Sequence, residues 1–231
     1  MSIAENIALV RANIAQACAQ AGRSPEEITL VGASKMNDAA ACREAIAAGI
    51  DALGENRVQE MTAKLAENAY DGAPLHFIGH LQRNKVKQVV GKVALIQSVG
   101  SMELLEEIEK VAAREQLVQD ILLEVNIGRE EAKSGFDPDA VTAAAEAALS
   151  LPHVRVRGLM TIPPADADRD ANMRYFQEVQ ALYVDINTKL FHNELKCLSM
   201  GMSGDYMDAI RCGATMVRVG TAIFGARHYN I

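Results

Sequence analysis

The chain has 231 residues, of which 49% are hydrophobic and 23% are charged, and its formal net charge at pH 7 is −7. This composition predicts a globular protein with a substantial buried core. The acidic balance argues against a nucleic-acid partner, since binding along a nucleic-acid backbone requires a basic surface. No apolar run approaches the roughly 20 residues of a membrane span, so we expect no membrane partner either.

Four cysteines, Cys18, Cys42, Cys197 and Cys212, lie far apart in the sequence. They have neither the spacing of a zinc site nor that of a redox pair, and isolated cysteines of this kind are typical of a reducing compartment. The N-terminus lacks the basic start and apolar core of a secretory signal. We therefore expect a cytoplasmic protein.

Ser2 and Glu5 have the spacing of a capping box, which predicts a first helix that ends at Gly22. Beyond it, short β-branched runs alternate with segments of helical periodicity. The predicted strands span residues 28–35, 51–56, 75–80, 94–100, 120–128, 154–162, 196–203 and 216–225. The predicted helices span residues 38–49, 57–70, 84–92, 101–116, 137–150, 170–190 and 205–212.

Alternating strands and helices of this number and length predict an α/β protein, a closed (β/α)8 TIM barrel with an extra N-terminal helix. An open doubly wound sheet is the alternative, and the number of strands argues against it. No linker or change in composition interrupts residues 1–231, so we expect a single domain.

The first predicted strand, residues 28–35 (ITLVGASK), is mostly apolar and ends at Lys35. An ammonium at the mouth of a buried strand is poorly solvated, which lowers its pKa toward the range where the free amine attacks a carbonyl and forms a Schiff base. The alternative interpretation is a lysine that leaves the strand and reaches water, as most lysines do.

In a TIM barrel the chemistry lies at the C-terminal ends of the strands. The loop after the seventh strand contains Ser203 between two glycines, and the eighth strand bends at Gly220 and Thr221. Backbone N–H groups and hydroxyls of this kind predict a phosphate site; the alternative is that Gly201 and Gly204 only form a tight turn. The other residues at this end of the barrel include Lys35, Asn56, His80, Asn126, Met160, Thr161 and Met200.

Arg218 stands in an otherwise apolar strand and needs an acceptor there. A carboxylate such as Glu124 or Glu55 would serve, and so would the ring nitrogen of a ligand. A Schiff-base lysine together with a phosphate site fits an aldehyde that carries its own phosphate, and pyridoxal 5′-phosphate (PLP) meets this description.

Several blocks then resemble the pyridoxal phosphate homeostasis protein family, single-domain relatives of the alanine racemase N-terminal barrel. The resemblance runs from about residue 28 to residue 227. It is carried by ASK at 33–35, GEN at 54–56 with VQE at 58–60, HFIGHLQ at 76–82 with NK at 84–85, KSG at 133–135, GLMTI at 158–162, LSMGMS at 198–203 and MVRVGTAIFG at 216–225.

The resemblance implies a role for each matching residue. Lys35 would hold PLP as a Schiff base, Ser203, Gly220 and Thr221 would bind its phosphate, and Arg218 would face the pyridine nitrogen and keep it unprotonated. Lys133 is similar to a second lysine that the family places near the mouth of the site. The residues that would line the ring are Asn56, His80, Met160 and Met200.

Two departures from the family pattern concern the first loop and the third strand. Met36, Asn37 and Asp38 stand where relatives often have a threonine with a proline soon after, and Leu75 replaces a tryptophan before His-Phe. These changes leave the conformation of the first loop open, and they remove no expected cofactor contact.

The expected function is intracellular PLP homeostasis, in which the protein holds PLP and buffers or delivers it to apo-enzymes that use PLP, without strong catalysis of its own. A PLP-dependent amino-acid racemase is the first alternative, and a cofactor-free Schiff-base aldolase is the second. Racemisation needs a second acid or base on the opposite face of the substrate. Tyr229 in the C-terminal tail is the one candidate for it, and a residue so near a chain end is more often frayed.

The remaining expectations concern assembly and metals. We expect a monomer or a weak dimer. His76 and His80 share a strand face, yet no third ligand stands at metal spacing, so we expect no metal site.

Overall fold

The computed structural model describes residues 1–225, and residues 226–231, including Tyr229, lie outside the described part of the chain. Within it, eight strands form one sheet. These are β1 (Thr29–Ala33), β2 (Ala52–Glu55), β3 (Leu75–Phe77), β4 (Leu95–Val99), β5 (Gln119–Val125), β6 (Val154–Thr161), β7 (Cys197–Ser199) and β8 (Met216–Val219).

Helices connect the strands and form the outer layer. The α-helices are α1 (Ile3–Gln20), α2 (Ala39–Ala47), α3 (Val58–Ala66), α4 (Met102–Arg114), α5 (Val141–Ala148), α6 (Arg169–Leu190), α7 (Tyr206–Arg211) and α8 (Thr221–Phe224). Two 3-10 helices, Pro25–Glu27 and Arg83–Gln88, complete the set within residues 1–225. None of the helices in this part of the chain is both long and apolar enough to cross a membrane.

The sheet closes on itself in the order β1 to β8, with every neighbouring pair parallel. Closure pairs the first strand with the last, so that Val31 lies opposite Arg218 and Gly32 lies opposite Val219. This confirms the predicted (β/α)8 barrel, and it makes β1 and β8 direct neighbours.

Successive side chains along each strand point alternately into the barrel and out toward the helices, which gives two apolar layers. One set fills the barrel interior and comprises Val31, Ala52, Leu95, Leu122, Met160 and Met216. The other set, which includes Leu30, Leu53, Leu198 and Val217, packs outward against the helices. Polar residues in the register of the first set therefore face the interior of the barrel.

The extra N-terminal helix lies against the end of the chain that closes the barrel. Its capping box is formed, with Ser2 Oγ accepting from Glu5 N at 3.2 Å and Glu5 Oε2 accepting from Ser2 N at 2.7 Å. Farther along α1, Asn6 Nδ2 donates to Ile223 O at 2.8 Å and Asn13 Nδ2 donates to the Tyr206 hydroxyl at 3.0 Å. The helix thereby ties α7 and α8 to the rest of the barrel.

All eight strands end earlier than the sequence indicated, and the prediction for the eighth, residues 216–225, is wrong in its second half because Thr221–Phe224 forms α8. β3 stops at Phe77. Two residues later the chain crosses closely over the end of β2, since a Cβ at Gly79 would lie 2.2 Å from Asn56 O. β1 stops at Ala33, and Met36 then adopts a left-handed φ of 64°. The predicted helix at 84–92 is the 3-10 helix Arg83–Gln88.

Candidate functional site

Lys35 lies two residues beyond the end of β1 and is half-buried. The preceding residue still pairs with the sheet, since Ser34 N donates to Gly54 O at 3.0 Å. The following turn is held by the Asn37 side chain, whose Nδ2 donates to Lys35 O at 3.1 Å. The lysine thus begins the loop at the C-terminal end of the barrel, as its position in the sequence indicated.

Asn56 and His80 line one cleft beside this end of the barrel. Asn56 directly follows β2, and its Oδ1 is buried with no hydrogen-bond partner in the described part of the chain. His80 lies three residues past the end of β3 and is exposed. The cleft has a volume of about 250 Å³ and is lined by Asn56, Arg57, Val58, Gln59, His80, Gln82 and Lys85.

Arg218 lies inside the barrel and is only 3% exposed. Its Nη1 donates to Ser199 Oγ at 2.5 Å, and its Nη2 donates to Thr161 O at 2.9 Å. Burial lowers the pKa of this arginine to about 10, which still leaves the guanidinium charged at neutral pH. The structure therefore places a cation in the barrel interior, held by β6 and β7.

The carboxylate partners considered for Arg218 are arranged differently. Glu55 forms an ion pair with Lys64 at 2.7 Å instead. Glu124 acts on Arg218 electrostatically but forms no ion pair with it within residues 1–225; its Oε2 accepts from Ser134 Oγ at 3.1 Å. Burial raises the pKa of Glu124. Arg218 is thus held by a hydroxyl and a carbonyl, which leave its positive charge unneutralised by direct contact.

A buried polar chain continues from Arg218 across the barrel interior. Ser199 Oγ donates to Gln97 Oε1 at 2.6 Å, and the Gln97 Nε2 lies 3.0 Å from His76 Nδ1. Burial lowers the pKa of His76 to about 4. His76 is therefore neutral at pH 7, and in the tautomer that this contact implies its Nδ1 accepts from Gln97.

Ser203 lies in the loop after β7 and contacts the start of α8. Its Oγ accepts from Gly220 N at 3.1 Å and from Ala222 N at 3.3 Å. Because a hydroxyl has two lone pairs and one proton, this arrangement leaves its O–H to donate. Thr221, the first residue of α8, is exposed beside it. The structure thus brings the three predicted phosphate residues together.

Gly201 and Gly204, the two glycines in this loop, differ in the space around them. Gly201 has a φ of 94°, and a Cβ there would meet Ala209 Cβ at 2.6 Å, so its glycine is required by the turn and by packing against α7. Nothing lies within 4 Å of a Cβ built at Gly204. The turn interpretation therefore holds for Gly201, while Gly204 borders open space.

The two methionines expected beside the ring lie on different sides of the sheet. Met160 belongs to the apolar layer inside the barrel, and Met200 packs in the outer cluster against the helices. Both are 0% exposed. Met160 lies beneath the site, whereas Met200 packs away from the barrel interior.

Lys133 lies in the loop after β5 and reaches the loop after β6. Its Nζ donates to Pro163 O at 3.3 Å and pairs with Glu130 Oε2 at 2.5 Å. The far end of this loop is anchored to β5, since Phe136 N donates to Glu124 O at 2.7 Å and Asn126 N donates to Phe136 O at 2.9 Å. Lys133 therefore lies at the C-terminal end of the barrel, between β5 and β6.

Sequence reasoning missed several polar residues that support these side chains. Ser199, Gln97 and Lys64 are all buried. A polar residue inside an apolar strand was the available signal for Gln97, which stands in LIQSV at 95–99. For Lys64 the signal was its helical spacing from Val58 and Met61, which places a lysine on the buried face of α3. Within residues 1–225 no three His, Cys, Asp or Glu side chains are grouped for a metal ion.

Comparison with known proteins identifies the family. A family model described as "Alanine racemase, N-terminal domain" matches residues 6–228. Proteins named pyridoxal phosphate homeostasis protein from Aquifex aeolicus and Pseudomonas aeruginosa are each 42% identical over 229 residues, covering 99% of this chain and 100% and 97% of their own. The Escherichia coli K12 protein of the same name is 38% identical over 231 residues, which cover 99% of this chain and 98% of its own.

Solved structures agree with this assignment. PipY of Synechococcus elongatus PCC7942, solved with PLP bound, superposes with a TM-score of 0.84 at 33% identity, covering 97% of this chain and 100% of its own. An alanine racemase of Clostridium difficile 630 superposes with a TM-score of 0.72 at 18% identity, covering 98% of this chain and 58% of the racemase. The latter shows the fold alone. The chain therefore belongs to the pyridoxal phosphate homeostasis protein family and carries the alanine racemase N-terminal domain.

Proposed function

We propose that this protein binds pyridoxal 5′-phosphate and holds it covalently through Lys35, as a reservoir that buffers the cofactor and delivers it. The observation that carries the proposal is the closure of the barrel. It pairs β1 with β8, so that a Cβ at Gly220 would lie 3.4 Å from Ala33 O. The loop that carries the Lys35 amine and the hydroxyl and N–H donors around Gly220 therefore lie at the ends of adjacent strands. Their separation suits one small ligand that contacts both.

The donor groups fit the chemistry of PLP. Bound PLP supplies an aldehyde, which condenses with a neutral lysine amine and releases one water. The free O–H of Ser203 and the exposed Thr221 suit an anionic phosphate. We assign Gly220 to the same group, because its N–H donates to Ser203 Oγ and a Cβ at this position would be in ordinary contact with Ala33, at the end of β1.

Arg218 determines how strongly the cofactor would activate a substrate. A guanidinium only donates hydrogen bonds, so it pairs with a ring nitrogen that is not protonated. An unprotonated ring is a weak electron sink, which favours holding the cofactor over transforming amino acids. We assign Asn56 and His80 to one edge of the ring, Met160 to the layer beneath it, and Lys133 to the mouth of the site.

The names of the relatives support the same function. Three proteins at 38–42% identity are named pyridoxal phosphate homeostasis protein, and PipY is described with PLP bound. The racemase resemblance is 18% identical and concerns the fold, so it does not favour the racemase alternative. By extension we propose a cytoplasmic location, apo-enzymes that use PLP as recipients, and a monomer or weak dimer in a single domain.

The test is to trap the cofactor and locate it. Purified protein supplied with PLP is reduced with borohydride, digested and mapped by mass spectrometry, and we expect the adduct on Lys35. An adduct that maps only to other positions would overturn the proposal. Incubation of the loaded protein with single L-amino acids in deuterated water tests the racemase alternative; prompt exchange at Cα with enzymatic turnover would favour it.

A further inference from the structure

A buried ion cluster, comprising Glu55, Glu60, Lys64 and Tyr70, lies behind Lys35, between the barrel and α3. The Lys64 side chain is 7% exposed and that of Glu55 is 0% exposed. Lys64 Nζ has three acceptors, which are Glu55 Oε1 at 2.7 Å, Glu60 Oε1 at 3.0 Å and the backbone oxygen of Ser34 at 2.9 Å. All three ammonium protons are thus used, and one of them holds the main chain next to Lys35.

The cluster forms hydrogen bonds with the residues on both sides of Lys35. On the N-terminal side, Ser34 presents its carbonyl to Lys64 and its hydroxyl to Glu55 Oε1 at 2.6 Å. On the C-terminal side, Met36 N donates to Glu60 Oε1. Met36 has a left-handed φ of 64°, a conformation that a methionine adopts only when its surroundings impose it. Three contacts from one cluster therefore hold the turn that carries Lys35.

The register of the strands separates the cluster from the site. Leu30 and Leu53 pack in the outer layer. Glu55 follows Leu53 at even spacing on β2, and Ser34, the residue directly after β1, follows Leu30 at even spacing. Lys35 has the opposite register, shared with Val31 in the inner layer. The cluster thus holds the turn from the helix-facing side of the sheet, while the Lys35 side chain follows the register of the residues that face the barrel interior.

The charges of the cluster keep it intact at neutral pH. Burial, the largest effect, lowers the pKa of Lys64, but the contacts with Glu55 and Glu60 outweigh it and raise the pKa above the ordinary value. Tyr70 donates to Glu55 Oε1 at 3.1 Å, and burial together with the Glu55 charge raises its pKa. Lys64 therefore stays an ammonium, and it does not compete with Lys35 as a nucleophile.

We propose that Lys64, with Glu55 and Glu60, is a positioning group that fixes the Lys35 turn for covalent capture of an aldehyde; this rests on the proposed function. The capture step joins the neutral Lys35 amine to the aldehyde carbon, and one water leaves. Lys64 touches neither reactant and acts through the backbone of Ser34. Without it, the turn samples other conformations, and fewer encounters place the amine within reach.

The test separates capture from binding. Lys64→Met is compared with the wild type for the rate of covalent PLP capture, followed by visible absorption, and for the affinity of pyridoxine 5′-phosphate, which has an alcohol in place of the aldehyde. We expect a loss of about tenfold or more in capture rate and a change of at most about twofold in pyridoxine 5′-phosphate affinity. Lys64→Arg, which keeps the charge and donors, should restore part of the rate.

The controls make each outcome decisive. Glu67→Gln removes an exposed carboxylate at the end of the same helix and should leave both quantities unchanged. If Lys64→Met does not fold, Glu60→Ala serves instead. The Glu60 side chain is 21% exposed, and its removal breaks the hydrogen bond from Met36 N. Wild-type capture rates in a folded Lys64→Met or Glu60→Ala variant overturn this inference and leave the proposed function standing. Absence of capture at Lys35 in the wild type overturns the proposed function itself.

Discussion

The Arg218 guanidinium donates a 2.5 Å hydrogen bond to the hydroxyl of Ser199, which lies on the neighbouring strand β7. Ser199 in turn donates to Gln97 on β4, so a single hydroxyl links the buried cation to the opposite side of the barrel. A serine that accepts from one side chain and donates to another holds both in fixed orientations. The direction of Arg218 inside the barrel therefore depends on Ser199.

Ser199→Ala should destabilise the fold and loosen Arg218. The substitution leaves a buried guanidinium N–H and the Gln97 carbonyl oxygen without partners, which costs about 1–3 kcal/mol. Urea denaturation measures the difference in the free energy of unfolding. Ser150→Ala, at an exposed serine, is the control and should lie close to the wild type. Equal stabilities of Ser199→Ala and Ser150→Ala would contradict the role of this hydrogen bond.

Lys35→Ala should abolish the visible absorption that covalently held PLP gives the wild type, since no amine remains at the end of β1. The measurement is the spectrum before and after borohydride, with mass spectrometry of the reduced protein. Lys133→Ala should retain the absorption and the adduct. If Lys133 captures the aldehyde when Lys35 is absent, only the double variant is colourless; an adduct at a third lysine in Lys35→Ala would argue against this site.

Ser203→Ala should weaken PLP binding selectively through the phosphate. It removes the hydroxyl that orders Gly220 N and Ala222 N and that has a proton to donate to an anion. We expect a loss of about tenfold in affinity for PLP and of at most about twofold for pyridoxal, which lacks the phosphate. Titration calorimetry gives both constants. Parallel losses for the two ligands would mean that Ser203 does not contact the phosphate.

His76 should make stability depend on pH in the acid range. Burial lowers its folded pKa to about 4 from 6.5, so between these values the unfolded chain binds more protons than the folded one. Stability is therefore fully present above pH 6.5 and is lost as the pH falls toward 4, by about 3 kcal/mol in total. Below pH 4 both states are protonated and this contribution is constant.

The measurement is urea denaturation between pH 4 and 7 for the wild type and His76→Gln. The glutamine keeps an acceptor for Gln97 but does not titrate, so the difference between the two curves isolates His76. His80→Gln, at an exposed histidine, should follow the wild-type curve. A wild-type slope that persists in His76→Gln would show that other groups cause it.

Local patterns in the sequence were sufficient for the barrel, and they also supplied most of the residues proposed for the candidate site. The strands were predicted to begin within one or two residues of their observed positions, because β-branched runs and helical periodicity are properties of contiguous segments. Lys35, Ser203, Gly220 and Thr221 were predicted as site residues because each stands at a strand end or in a glycine-containing loop. His80 shows the limit of this reasoning: it was predicted to end a strand over 75–80, but β3 ends at Phe77 and the chain then passes close to Asn56 at Gly79.

The sequence by itself determined the alternation of strands and helices and the residue types at the ends of the strands, since these follow from periodicity and backbone preference along the chain. Only the tertiary structure decided which side chains meet. Arg218 is held by Ser199 and Thr161 rather than by a carboxylate, and Ser199 reaches Gln97 across 102 residues of chain. Such contacts depend on barrel closure and strand register, which bring distant residues together by packing, and no local pattern encodes their pairing.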